Sequence, residues 1–385
     1  MTVCFKFMNS EPLDNMVTFL NYRFDKVIFF GHDEVVKNER NNTERFLKKY
    51  CGVQCVEFVL LPENNLQKTT DAMQKIIIRE VEESNDVYFD ITGGEGLSLV
   101  AFGILSERND TPMHRFKVRT NECVEFQTHS SRHIKKDIPA RRVKLTVEKY
   151  IEMRGGVVNY ERQKAFKNPD ADDFAENVET IWKVFRKHID SWNQFSEFFR
   201  NNFHPNEDLK ISEESATIDA ALKKAGNKLK DDSEFHHIMN EMIQYGLITD
   251  YSRENNRYTF KLKDEFVKDC IWDSGSILEM YMYLLMKNKS DSCKVAVHLD
   301  WDGVIHKYYG FDVVNEVDVL SIKGNIPTFV SCKTGVPGKE ALYELDTVAK
   351  RFGGKYARKV IATTRDMLEV DELRAREMNI TIYKV

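Results

Sequence analysis

The chain has 385 residues, 42% of them hydrophobic and 30% charged, and its formal net charge is −5. That length suggests two or three domains of roughly 150 residues, each able to bury a core, and with only 8 prolines disorder is not expected. The acidic balance excludes a uniformly basic nucleic-acid coat but leaves room for a local basic groove, and no run approaches the roughly 18 apolar residues of a membrane span.

The N-terminus, MTVCFKFMNS, lacks the apolar core of an export signal and reads as a buried strand. An amphipathic stretch from Leu13 to Leu20 follows, then a second strand, KVIFFGH. Residues 42–49 read as a helix opened by an Asn-Thr cap, and VQCVEFVLL as a third strand. Residues 66–84 carry a long helical pattern with Ile76, Ile77, Ile78 and Val81 as its core stripe. VYFDIT is a fourth strand, GGEG opens a helix over 97–105, and RFKVRT and CVEFQT complete the sheet. Strands separated by single helices require right-handed crossovers and a mainly parallel sheet. This half is therefore expected to be Rossmann-like.

From about residue 135 the texture changes. A basic connector, Arg132 to Lys144, leads into a helical region reaching about Phe203. A winged-helix-like segment follows, with the helix EFHHIMNEMIQYGLI and a hairpin whose tip is Glu-Asn-Asn-Arg. The α/β alternation then returns: helix 275–288, three strands, helix 339–352, a strand, helix 367–377 and a last strand. The expected divisions are 1–134, 135–265 and 266–385. Seven cysteines, at 4, 51, 55, 123, 270, 293 and 332, form neither a disulfide framework nor a zinc spacing. Cys51 and Cys55 read as core thiols, and the chain as cytoplasmic.

In an open parallel sheet, ligands sit beyond the carboxyl ends of the strands. The loops there are Asn9-Ser10-Glu11, Gly31-His32 and Thr92-Gly93-Gly94-Glu95. Glycines at a strand–helix junction let backbone N–H groups approach an anion, and the helix N-terminus adds a favourable dipole. A hydroxyl of Thr92 or Ser10 is placed to complete phosphate contacts. Neither the dinucleotide fingerprint nor a Walker loop is present, so the same glycines also fit a plain connecting turn. His32 reads as a loop hydrogen-bonder and Glu95 as a ligand contact or a helix cap.

The C-terminal part carries a more specific constellation. Glu279 lies in an otherwise apolar helix, Asp318 in the apolar strand NEVDVLSI, and Ser331 and Lys333 end the strand TFVSCK. A turn at Lys323-Gly324-Asn325 would bring Asp318 and Lys333 to one end of a hairpin. A buried carboxylate needs a metal ion or a cationic partner. Glu279 and Asp318 suit Mg²⁺ or Mn²⁺, with Lys333 orienting water, which points to phosphodiester hydrolysis. The cationic run KRFGGKYARK, 350–359, is placed to grip a phosphate backbone.

These motifs, in this order, resemble the CARF-domain, PD-(D/E)xK-type nucleases associated with type III CRISPR systems. The resemblance implies a CARF sensor, a winged-helix-like middle and a restriction-endonuclease-like α/β domain. It implies a homodimer whose sensors bind a cyclic oligoadenylate, most plainly cyclic tetra-adenylate, and a metal-dependent nuclease that cuts single-stranded RNA, DNA or both with little sequence preference. Ser10, Thr92, Gly93 and Gly94 fall on the family's ligand loops; Glu279, Asp318 and Lys333 fall on its catalytic motif. One departure stands out: Ser331 occupies the place of an acidic residue, so either Ser331 contributes through a bound water or a further carboxylate comes from Glu316, Glu340 or Glu344. Two other readings are a ligand-responsive transcription regulator with an inert C-terminal domain and a sensor that degrades its own ligand.

Overall fold

The chain opens with β1 (Thr2–Phe7), α1 (Pro12–Asn21), β2 (Lys26–Gly31), α2 (Asp33–Phe46), β3 (Cys55–Leu60) and α3 (Leu66–Glu82). It continues with β4 (Asp86–Asp90), α4 (Gly96–Asn109), β5 (Met113–Lys117), β6 (Glu122–Phe126) and β7 (Ile134–Lys136). The computed structural model describes residues 1–62, 64–83, 85–126, 134–136, 143–225, 229, 232–301, 303–305 and 314–385. Most of the basic connector from Arg132 therefore lies outside the described residues. The first sheet runs β3-β2-β1-β4-β5-β6-β7, parallel from β3 to β5 and antiparallel beyond. The connections diverge between β1 and β4, which puts a crevice beyond those two strand ends.

Three local expectations need correction. Helix α2 starts at Asp33, capped by His32, so the expected Asn-Thr cap lies inside it and Thr43 is buried. Asp33 and Glu34 in its first turn complement the helix dipole and supply the start signal. In α3, Met73 and Ile77 face the core, whereas Ile78 is 45% and Val81 50% exposed. Three consecutive isoleucines cannot share one helix face, since successive residues turn by about 100°. Cys51 is buried as expected, but Cys55 on β3 is exposed.

Beneath the β4 loop lies a buried ion pair. Lys6 Nζ stands 2.6 Å from Asp90 Oδ2 and also donates to Thr92 O, while Thr18 Oγ1 and Thr92 N donate to the Asp90 carboxylate. Burial alone would raise the Asp90 carboxyl, but Lys6, His114 and these donors outweigh it and hold it below the usual carboxylate range. Its contribution to stability is thus present at neutral pH and is lost as the pH falls through that lowered value. Lys6→Met leaves the carboxylate buried without its ammonium and is expected to cost about 3–5 kcal/mol. Urea denaturation followed by far-UV circular dichroism measures it; a loss under 1 kcal/mol (roughly the net worth of one ordinary hydrogen bond) would refute it.

The middle segment comprises α5 (Val147–Met153), β8 (Val157–Val158), α6 (Phe174–Lys187), α7 (Trp192–Asn202), β9 (Lys210–Glu214), α8 (Ser215–Ala225), α9 (Asp232–Gln244), β10 (Ile248–Glu254) and β11 (Arg257–Leu262). Strands β10, β11 and β9 form a small antiparallel sheet. The last stretch carries α10 (Glu265–Trp272), α11 (Ser276–Lys287), β12 (Ser292–Asp300), β13 (Val314–Lys323), β14 (Ile326–Lys333), α12 (Lys339–Gly353), β15 (Arg358–Thr363), α13 (Glu369–Glu377) and β16 (Ile380–Lys384). Its sheet runs β16-β15-β14-β13-β12-β8, so β8 joins the C-terminal sheet from far upstream.

Helix α1 is buried along all ten residues. One apolar cluster includes its Leu13, Met16, Val17 and Leu20 together with Leu320, Phe329 and Phe352 of the C-terminal domain. Polar groups close the seam: Arg154 Nη1 donates to Glu11 Oε1 at 2.5 Å and the Lys355 main-chain N–H to Glu11 Oε2. Lys355 Nζ and Tyr356 OH both donate to Asp14. Four of the five cations in the run 350–359 therefore have partners within the protein. Lys355 serves this seam, Lys350 and Lys359 pair with Asp346, and Arg351 donates to Trp301 O. Cations displayed in a sequence do not reveal the acids that the fold sets against them.

Candidate functional site

Hairpin β13–β14 turns at Gly324 and stays in register from Lys323↔Ile326 to Val319↔Val330. There the strands part. The ladder of β12 with β13 is also irregular at this level, skipping from Val295↔Val319 to Val297↔Val317 around Ala296, whose φ is 51°. This parting frees the Cys332 N–H from the ladder, and it donates to Asp318 Oδ2 at 2.5 Å. Ser331 Oγ donates weakly to the same oxygen at 3.4 Å. The expected serine thus braces the aspartate.

Glu279 stands in the first turn of α11. Carboxylate oxygens of Glu279, Glu316 and Asp318 lie within 4.8 Å of one another. Burial, and next the charge of Asp318, push the Glu279 carboxyl up to about 7 against the pull of Lys167. Burial also raises Asp318, although the Cys332 N–H and Lys333 act to lower it. A cavity of about 200 Å³ is lined by Glu316, Asp318, Ser331, Lys333 and Glu344 of α12. Glu340 is highly exposed and faces Lys339, so Glu316 and Glu344 are the additional carboxylates at the site.

One side chain at this carboxylate cluster carried no signal in the sequence. Lys167 ends a short 3₁₀ turn, Ala165–Lys167, and its Nζ lies 2.6 Å from Glu279 Oε2 and 3.9 Å from Glu316 Oε1. Burial alone would lower this lysine, but Glu279 outweighs it and holds its pKa above the usual value. A cation already rests among these oxygens, and an all-oxygen donor set suits a hard divalent ion such as Mg²⁺ or Mn²⁺. The residues therefore fit such an ion. Asp300, at the end of β12, accepts from the Gly303 N–H in a turn, and Asp302 lies outside the described residues.

The loops Asn9-Ser10-Glu11, Gly31-His32 and Thr92-Gly93-Gly94-Glu95 meet at the β1/β4 crevice. Gly93 and Gly94 adopt φ of 78° and 135°, conformations open to glycine. Asn9 Nδ2 is buried against Gly93 with no partner among the described residues, an unused donor beside an anion cradle. Ser10 is exposed. His32 Nε2 faces Glu95 Oε2 at 3.6 Å, and Gly31 packs tightly against Met8 and Val36. Two expected ligand contacts are committed elsewhere. The buried Thr92 hydroxyl accepts from the Phe116 N–H at 2.7 Å, and both Glu11 oxygens serve the seam.

Known proteins share this fold. The whole chain has the fold of the crystal structure of protein VC1899 from Vibrio cholerae, at 14% identity and a TM-score of 0.70, covering 100% of this chain and 94% of that one. It is similarly superposable on Can2 from Sulfobacillus thermosulfidooxidans, solved in complex with cyclic tetra-adenylate, at 13% identity and a TM-score of 0.67, covering 99% and 92%. No curated protein matches the sequence. Residues 270–384, which hold Glu279, Asp318, Ser331 and Lys333, match the family model "Card1-like, endonuclease domain".

Proposed function

We propose that the chain is a metal-dependent nuclease of CRISPR antiviral defence, switched on by a cyclic oligoadenylate. The observation that carries this reading is the Card1-like match over the residues that bear the carboxylate cluster. The fold shared with Can2, whose structure holds cyclic tetra-adenylate, supports the β1/β4 crevice as the activator site, with Asn9, Ser10, Gly93, Gly94, His32 and Glu95 around it. In this reading the middle segment is winged-helix-like, and the last domain is of the PD-(D/E)xK type.

Glu279 and Asp318, with Glu316 beside them, would hold Mn²⁺ or Mg²⁺. A bound divalent ion supplies Lewis-acid stabilisation of a phosphate and a more acidic water. The Cys332 N–H and Ser331 hydroxyl fix the Asp318 carboxylate, so it need not reorganise. Lys333, lining the same cavity, offsets charge that develops on the phosphate. Two protomers pairing their crevices would let one cyclic ligand touch both and shift the site toward its cutting arrangement. Helix α9, DSEFHHIMNEMIQ, has no Arg or Lys to read a DNA groove, which argues against the transcription-regulator reading.

The direct test incubates purified protein and Mn²⁺ with labelled single-stranded RNA or DNA, with and without cyclic tri-, tetra- and hexa-adenylate. Strand cleavage that requires one of these rings and is lost with EDTA is expected. Intact substrate in every combination would overturn the proposal.

A further inference from the structure

We propose that Lys167 is a tethered cation seated where a divalent ion would bind, so that metal entry must displace its ammonium and this side chain sets the metal affinity of the site. The inference rests on the metal-dependent reading above. The Lys167 side chain is 3% exposed, and its Nζ touches Glu279 Oε2, an oxygen of one of the two carboxylates expected to ligate metal. It also faces Glu316, and both belong to the cluster whose oxygens lie within 4.8 Å of one another. A buried ammonium is stable only with such partners. A metal ligated by the same oxygen at about 2.0–2.2 Å would compete for it and repel the ammonium.

The tether is firm, so the side chain rather than the backbone has to give way. Gln163 donates to Val295 O, Lys164 pairs with Asp273 at 2.5 Å, and the Lys167 N–H donates to Lys164 O. Asp273 also acts on the Lys167 charge. It lines an open cleft of about 700 Å³ with Lys164, Phe166 and Asp269. The flexible lysine stem can swing to that second carboxylate when Glu279 is taken. A lysine whose task was to hold the carboxylates in place for the metal would behave oppositely: its removal would weaken metal binding.

Calorimetric titration of the full-length protein with Mn²⁺, without nucleic acid or cyclic oligoadenylate, separates these roles. Lys167→Met and Lys167→Gln are expected to bind Mn²⁺ about tenfold tighter than the wild type, and Lys167→Arg to stay near it. The Gln variant still hydrogen-bonds Glu279 and decides the matter should the Met variant fail to fold. Lys333→Met removes a charge from the cavity beside Asp318 without freeing Glu279 and is expected to tighten binding less. Equal or weaker binding by both Lys167 variants, or equal tightening by Lys333→Met, overturns the proposal. If that happens while Asp318→Asn abolishes binding, the metal reading survives alone; no Mn²⁺ binding by any variant sinks both.

Discussion

Asp318→Asn is expected to lower metal-dependent cleavage by about 10³-fold or more, since a ligated ion supplies several kcal/mol of transition-state stabilisation and each 1.4 kcal/mol is tenfold. The substitution preserves shape. The amide oxygen can still accept the Cys332 N–H, so the hairpin end should survive, and what is lost is the charge opposite Glu279 and Glu316. Because the sensor crevice lies on a different sheet, activator affinity should be unchanged. Initial cleavage rates at saturating activator, with calorimetric ligand binding alongside, measure both quantities. Cutting retained within tenfold of the wild type would place the active centre elsewhere.

Gly93→Val should weaken activator binding by about 100-fold while leaving the cleavage rate at saturating activator close to the wild type. Strain of about 1–3 kcal/mol follows from a β-branched residue in the left-handed region, since φ is 78° there. A Cβ at this position would also stand 2.5 Å from Asn9 Nδ2 and 2.9 Å from Asp14 Oδ2. The loop must therefore shift just where its unused donor waits. Titration of cleavage rate against cyclic tetra-adenylate distinguishes a shifted midpoint from a lowered plateau. An unshifted midpoint would mean that this loop only connects strand to helix.

Most strands of the two larger sheets were legible because helices cover their faces and leave apolar runs, but β7 lay in the basic connector and β8 in a stretch expected to be helical. The hairpin turn and the pairing of Asp318 with the end of β14 followed from spacing alone. Other features had no local signature. Lys167 reaches Glu279 across 112 positions of sequence, and nothing in Gln-Lys-Ala-Phe-Lys marks one lysine as buried. Among the cations of 350–359, Lys355 looked free because its partner Asp14 comes from α1, whereas the Asp346 that pairs with Lys350 and Lys359 stands only four residues before Lys350 on α12. Thr92 and Glu11 sat on the right loops, but their side chains are spent on β5 and on the seam.

Helix α1, walled in on every side, changes how this protein can be taken apart. A fragment beginning at residue 266 would leave behind α1 and β8, uncover Phe329 and Phe352, and part Glu279 from Lys167. Grafting the sensor onto another effector would meet the mirror-image difficulty, because Leu13 and Met16 would need a new apolar surface of matching shape. The N-terminal and C-terminal parts share one core through this helix, and engineering of either has to carry the helix with it.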